Sequence, residues 1–437
     1  MKRFLFGLGL FAIVVAWLIV WTALPGIVIL ALAILLAAWL AFTRPGRRTL
    51  SVTRVGLSTL TQRLGSSSVI VIGIAGVVGV LVAMLAMGEG FQATLQQTGN
   101  DDTAIVLRGG SQAELNSVLS RDNIDLIEQK PGVAHDAQGH PIASAELGVI
   151  ANLPKKDDPT VEANVPIRGV GEEAWMLHPN VKIIEGRKFK PGLRELDVGR
   201  GAQRQFAGLE IGKQLRLSGQ EWTVVGVFAS NDAYESELWG DAESVASAYR
   251  RGSSRQSVTV KLTQPSAFDQ FKAALMSDPT LKVDVSTTRD YFDKQSEQLT
   301  KVIRVVGITV GVIMAIGAIF GALNTMFAAV ATRAREIATL RALGFRGSPV
   351  VVSVMLETML LALAGGVLGA LIVWLIFNNY TASTLGSNFS QVVFQFRVTP
   401  QLLWTGIKWA LAIGFIGGLF PAVRAARLPV TTALREL

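Results

Sequence analysis

Few residues in this chain have the type and spacing to do chemistry. The closest approach to a phosphate-binding loop is Gly208-Leu-Glu-Ile-Gly212-Lys213-Gln214. A loop of the GxxxxGK[ST] kind cradles phosphates with backbone N–H groups and a lysine, and its hydroxyl holds magnesium. The stretch here is one residue short and has no Ser or Thr, so it reads as a turn between strands. There are three histidines, His135, His140 and His178, in no metal-binding spacing. His135 and His140 sit in a Gly/Pro-rich stretch and read as surface loop residues. With no cysteine in 437 residues, disulfides, thiolate metal sites and a Cys nucleophile are excluded. Asn388-Phe389-Ser390 matches a glycosylation pattern too common to carry weight. No catalytic, cofactor-binding or metal-binding residue is assigned, and the chain is expected not to be an enzyme.

Two charged features stand out instead. One is Glu357, the lone acid of the apolar stretch 347–377. Carboxylates inside a membrane are costly and mark a function or a partner; pairing with a neighbouring helix is the plainer reading, a proton or substrate role the sharper one. The other is Thr332–Gly344, wedged between that stretch and 305–331, which carries no charge. Arg333, Arg335 and Arg341 outweigh Glu336 there, and such an excess marks the cytoplasmic face. Ile337, Leu340 and Leu343 fall on one side of a short helix, and Gly344 stops it. The apolar side needs cover, either lipid headgroups or a protein.

The elements that position these residues follow from composition. Half of the residues are hydrophobic and 17% are charged, a membrane protein's balance. Residues 89–299 hold 23 Lys+Arg and 30 Asp+Glu, a net −7, while the remainder nets +15. The overall +8 therefore reflects basic cytoplasmic edges rather than a nucleic-acid surface, and no nucleic-acid partner is expected.

A hydrocarbon core of about 30 Å takes roughly 20 helical residues, and six segments qualify: 4–22, 26–43, 68–88, 305–327, 351–377 and 402–420. The first two form a hairpin turning at Leu24-Pro25-Gly26; a cleaved signal peptide ending near Ala23 is the other reading. Residues 50–64, with Leu50, Leu57, Leu60 and Leu64 beside Arg54 and Arg63, read as an amphipathic helix on the cytoplasmic membrane surface. Gly307/Gly311 and Gly317/Gly321 have a spacing suited to close helix packing, as do Gly365, Gly366 and Gly369. Within 89–299, strands are expected at 104–108, 165–170, 214–217, 222–228 and 257–262, and helices at 111–129, 241–250 and 265–276. The fold class is thus an α-helical polytopic membrane protein of about six spans. A large α+β extracytoplasmic domain is inserted between the third and fourth.

Three groups of residues resemble the FtsX-like ABC transporter permease family with a MacB-type periplasmic core domain. One is Arg335-Glu336-Ile337 through Leu340-Arg341-Ala342-Leu343-Gly344, with Leu356-Glu357 and the glycines at 365, 366 and 369. Another is Pro421-Ala-Val-Arg424-Ala-Ala-Arg427-Leu-Pro429-Val430 with Ala433-Leu434-Arg435. The last lies in the outside domain: Ile167-Arg168-Gly169-Val170, Glu185-Gly186-Arg187-Lys188-Phe189, Trp222–Phe228, and Tyr291-Phe292 with Gln295-Ser296. Hydropathy adds an N-terminal hairpin, 1–48, that is extra to the family's usual four spans, and a surface helix 49–67; with a span 68–88, the resemblance implies a MacB-like periplasmic core 89–299 and an FtsX-like permease domain 300–437 with coupling segment 332–346. It implies a permease, in the bacterial inner membrane with both termini cytoplasmic, that works by mechanotransmission. A separate cytoplasmic ABC ATPase would bind ATP and Mg, and the helix around Arg335–Gly344 would insert into it. A second permease copy or paralogue, a periplasmic adaptor and membrane lipid are the other implied partners. Cargo would be a lipid, lipoprotein, peptide or drug. A non-transporting regulator of a cell-wall hydrolase or sensor is the alternative.

Overall fold

The structure, a computed structural model, describes residues 20–58, 64–386 and 391–427. Most of the expected span 4–22 lies outside the described residues, as do Arg63, Asn388–Ser390 and the last ten positions with Pro429, Val430 and Arg435.

After a helical end at residues 20–23 come α1 (Gly26–Phe42) and α2 (Arg44–Ser58), which meet at a bend of 95°. The bend falls at Thr43. Its hydroxyl donates to the Trp39 carbonyl (2.7 Å) and accepts the Gly46 N–H (3.0 Å), closing one helix and opening the next. At 17 residues α1 is about 26 Å long, short of the ~30 Å core. α3 (Leu64–Thr98) then runs unbroken through the expected 68–88 and beyond it.

The outer part follows. Its first elements are β1 (Thr103–Arg108), α4 (Arg121–Glu128), β2 (Ala143–Pro154), β3 (Glu162–Val170) and α5 (Ala174–Leu177). Next come β4 (Lys182–Gly186), β5 (Glu195–Gly199), α6 (Arg200–Gln205), β6 (Gln214–Leu217), β7 (Gln220–Ala229) and β8 (Leu238–Asp241). α7 (Ala242–Ala248), β9 (Ser257–Lys261), α8 (Phe268–Met276) and β10 (Val283–Thr287) complete it. The chain returns through α9 (Thr288–Thr332), the short α10 (Ala334–Ala342) and α11 (Gly347–Phe377). A hairpin of β11 (Thr381–Leu385) and β12 (Gln391–Gln395) leads into α12 (Pro400–Arg427).

Among the described residues four helices, α3, α9, α11 and α12, are long and apolar enough to cross a membrane. Two compact units result. One comprises Met1–Met87, Ile303–Asn379 and Arg397–Leu437; the other comprises Gly88–Val302 and Tyr380–Phe396.

Glycines set the packing of the first unit. A Cβ on Gly365 would lie 2.7 Å from the Val71 carbonyl, one on Gly366 2.6 Å from Ala410 Cβ, and one on Gly369 against the Ala75 backbone. Gly307 and Gly311 meet Met84 and Leu81 at 2.9 and 3.0 Å. Small residues there let backbones approach and gather dispersion contacts that lipid does not offer. Gly317 and Gly321 depart from the expected pattern, since a Cβ on either meets nothing within 4 Å. α9 turns that stripe outward beside exposed Ile313 and Phe320.

In the second unit the main strand path runs β10-β1-β9-β2-β3-β8-β5-β7-β4, with β6 paired to β7. β2 is the shared strand: Ala143–Glu146 pair with β9, and Leu147–Pro154 pair with β3. Two hydrophobic cores lie on either side of that handover. One gathers Val106, Ile127, Val260, Phe271 and Leu275; the other gathers Val149, Ile167, Leu196, Trp222 and Leu238. Each fully buried side chain of this kind contributes about 1.5–3 kcal/mol. The expected helix 111–129 is only a 3-10 turn at Glu114–Asn116 followed by α4, which Ser120 caps by accepting the Asn123 N–H (3.3 Å). Gly208 and Gly212, both at positive φ, make the turn expected before β6. The stretch 378–401 contains the β11–β12 hairpin. Ser236 Oγ accepts the Val393 N–H (2.8 Å), Gln205 Nε2 donates to Ser383 Oγ (2.7 Å), and Phe394 sits edge-on to Phe91.

Candidate functional site

The charged segment folds into α10 because its residues favour helix and both ends have defined stops. Arg333 breaks the run, with φ −103° and ψ 11°, between the end of α9 and the start of α10. The far end is closed by Gly344 at φ +93°, a left-handed conformation that glycine adopts without Cβ strain. The Gly344 N–H donates to the Arg341 carbonyl and the Phe345 N–H to the Leu340 carbonyl, both at 3.1 Å. That reciprocal pair is the Schellman closure of a helix C-terminus.

Arg333 is turned inward and buried. Its Nη1 donates to Glu357 Oε2 on α11 (3.0 Å) and its Nε to Glu336 Oε2 on α10 (3.1 Å). The lone acid of 347–377 is therefore half of an ion pair, and the paired charges lose less on leaving water than either would alone. This brace ties the end of α9, the start of α10 and the body of α11 to one guanidinium.

The inward face of α10 is thereby Arg333, Ile337 and Ala338, all buried. Ile337, Leu340 and Leu343 do not share one environment as the leucine spacing suggested. Ile337 is buried, Leu340 is half-buried and Leu343 is 73% exposed, because the ion pair fixes the rotation of the helix and carries its far end outward. Arg335 and Glu336 are exposed and Arg341 is half-buried. The outer surface of α10 thus presents Arg335, Glu336, Leu343 and Gly344.

In the outer unit the structure assembles a charged cluster that sequence reading missed. Arg168 on β3 is buried, and all five of its N–H groups are used. Nε and Nη2 donate to Glu237 (2.7 and 2.9 Å), Nη1 to Glu146 (2.7 Å), and Nη1 and Nη2 to Glu114 (3.0 and 3.2 Å). Each carboxylate has a further neighbour: Ser257 Oγ donates to Glu114 (2.7 Å), Trp239 Nε1 donates to Glu237 (3.0 Å), and His178 Nε2 lies 3.3 Å from Glu146. Burial would push the Glu146 carboxyl up, but Arg168 and His178 outweigh it and hold it at about 2. Burial likewise opposes the Arg168 charge, yet Glu114 and Glu237 carry its pKa well above the usual value. The cluster sits where β2 passes from one core to the other, since Glu146 is its last residue paired with β9. The available signal was an arginine inside an apolar, alternating run. Two further buried acids shift the other way: burial pushes Asp197 up to about 7 and Asp232 up to about 6.

A second missed residue is Lys408 on α12. Its ammonium donates to the carbonyls of Thr22 (2.5 Å) and Leu24 (3.4 Å), and Trp21 Nε1 donates back to the Lys408 carbonyl (2.9 Å). The segment leading into α1 is held on α12 by these bonds.

Comparison with known proteins matches two stretches of the chain to family models. Residues 67–277 match the MacB-like periplasmic core domain and residues 308–430 the FtsX-like permease C-terminal domain. The macrolide export ATP-binding/permease protein MacB of Photorhabdus laumondii is 24% identical over 87% of this chain, and the chain spans 59% of that relative's length. The uncharacterized ABC transporter permease YknZ of Bacillus subtilis is 24% identical over 87% of this chain and 98% of its own length. The periplasmic region of MacB from Actinobacillus actinomycetemcomitans aligns with 46% of the chain at 17% identity and a TM-score of 0.34. Neither matched segment is a nucleotide-binding domain. The chain is an FtsX-like permease with a MacB-like periplasmic core domain.

Proposed function

We propose that this chain is the permease subunit of an ABC transporter that works by mechanotransmission. In this reading a separate cytoplasmic ATPase binds ATP and Mg and receives the outer surface of α10. Its closure moves α10, and the movement is relayed to the periplasmic domain, which exports or extracts a lipid, lipoprotein, peptide or drug. The observation that carries the reading is the Arg333 brace. A load on α10 is delivered through one guanidinium to α9 and, through Glu357, to α11. α9 is continuous from Thr288 to Thr332, about 68 Å at 1.5 Å per residue, a length suited to a lever. The FtsX-like match over 308–430 and the MacB relatives' printed role in export support the same reading. A second permease copy is the natural cover for the open Gly317/Gly321 stripe. A periplasmic adaptor and cytoplasmic termini complete the scheme.

The test is isolation of the tagged full chain in mild detergent, with mass spectrometry of what accompanies it. An ABC ATPase should accompany the wild type in stoichiometric amount and be lost from Leu343→Asp, while the variant inserts at normal levels. Equal recovery with both would remove α10 from the docking surface. Recovery of a cell-wall hydrolase and no transport adaptor would turn the reading toward a regulator.

A further inference from the structure

The corner between α1 and α2 carries a charge pattern that neither α10 nor the outer unit uses. Arg44, Arg47, Arg48 and Arg54 are all exposed on α2, and residues 1–88 contain no Asp or Glu. At 100° per residue these four arginines fall within an arc of about 120°. The buried residues of the helix, Gly46, Thr49, Val52 and Thr53, occupy the opposite arc. α2 packs on α11, leaving the arginine face away from its buried side.

The depth of this face follows from α1. That helix is apolar and largely uncovered by the other described residues, with Ile27 77% and Phe42 79% exposed. Such a surface is stable against lipid tails or another apolar helix, both at hydrocarbon depth, so the residue where it ends lies near the headgroups. The first arginine comes two positions after Phe42, and the 95° bend turns α2 away from the α1 axis at that level. Arg47 Nε closes one carbonyl of the α1 end, at Ala41 (3.0 Å). The guanidinium fork matches two oxygens of a phosphate, which a single ammonium does not.

We propose that the α1–α2 corner is a binding site for anionic phospholipid, with headgroup phosphates held by Arg44, Arg47, Arg48 and Arg54. The occupant is lipid rather than a soluble protein because the arginines begin at headgroup depth, where a protein partner would have to displace the headgroup layer. Each arginine near an anionic surface contributes roughly a fivefold preference.

The experiment uses the full chain in neutral detergent, mixed with equimolar phosphatidylglycerol and phosphatidylcholine of matched acyl chains, with retained lipid counted by native mass spectrometry. The wild type should retain phosphatidylglycerol in preference to phosphatidylcholine. R44Q/R47Q/R48Q/R54Q should lose at least tenfold of that preference, and the matching lysine quadruple should keep part of it. Equal retention of both lipids by the wild type would overturn the proposal, as would an unchanged preference in the glutamine quadruple. So would complete displacement of phosphatidylglycerol by ~10 mM inorganic phosphate, which would make free phosphate the ligand. Should the quadruple fail to fold, R48Q alone and a salt titration of the wild type decide. The preference should fall severalfold in the variant and erode toward 1 M salt, and insensitivity to both would overturn the proposal.

Discussion

Replacing Arg168 with Met would remove five charge-assisted hydrogen bonds and leave Glu114, Glu146 and Glu237 facing one another out of water. Removing one partner of a buried ionic group costs about 3–5 kcal/mol. Glu146 alone gives a similar figure. Its carboxyl is held at about 2 against 4.5 unperturbed, and at ~1.4 kcal/mol per pH unit that is ~3 kcal/mol. The sign is that of a depressed acid: the stabilisation is present above pH 4.5 and is lost as pH falls toward 2. In Arg168→Met the carboxylates escape by taking up protons, so the gap between variant and wild type should narrow on acidification. Hydrogen exchange on the intact chain in detergent reads this locally. Peptides covering β2, β3 and β8 should exchange about 10²–10³-fold faster at pH 7.5, from 1.4 kcal/mol per tenfold, with a smaller ratio at pH 5. Adding Glu114→Gln, Glu146→Gln and Glu237→Gln should restore much of the protection. An effect under tenfold, or one independent of pH, would refute the view that the outer domain rests on this cluster.

Three further outcomes are expected. Arg333→Met strips Glu357 of its guanidinium and should lower the stability of the chain by ~2–4 kcal/mol, read as thermal unfolding in detergent. Arg333→Met with Glu357→Gln should recover much of it. Gly369→Ala drives a methyl into the Ala75 backbone and should cost ~1–3 kcal/mol, whereas Gly317→Ala meets nothing within the chain and should leave the unfolding of the single chain within about 0.5. Asp197 is raised by burial from 3.8 to about 7, so its contribution is full below pH 4 and is lost as pH rises to 7. Asp197→Asn should match the wild type near pH 4 and exceed it by ~4 kcal/mol at pH 8, measured as domain stability against pH.

The sequence made the membrane helices and the outer domain visible because hydropathy and charge change sharply at their borders. β1, β3, β6, β7 and β9 were legible from alternating or β-branched runs. β2 was not, since Ala143–Pro154 mixes Ala, Gly and polar residues and pairs with two different strands along its length. The Gly344 stop was readable because left-handed closure selects glycine. The inward rotation of Arg333 was not, because it depends on Glu357, 24 residues away. The ring around Arg168 draws on four segments brought together only by the fold, and no local pattern announces such a group. Lys408 hides for the same reason, its partners being the turn carbonyls nearly 400 residues earlier.

The most direct test of the central claim is ATP hydrolysis by the partner ATPase, reconstituted in lipid with the full-length chain. Wild type should set a coupled rate, and Arg335→Glu with Leu343→Asp on the outer surface of α10 should return hydrolysis to the rate of the ATPase alone, with insertion and the Arg333–Glu357 pair untouched. An unchanged coupled rate in that double variant would contradict the account.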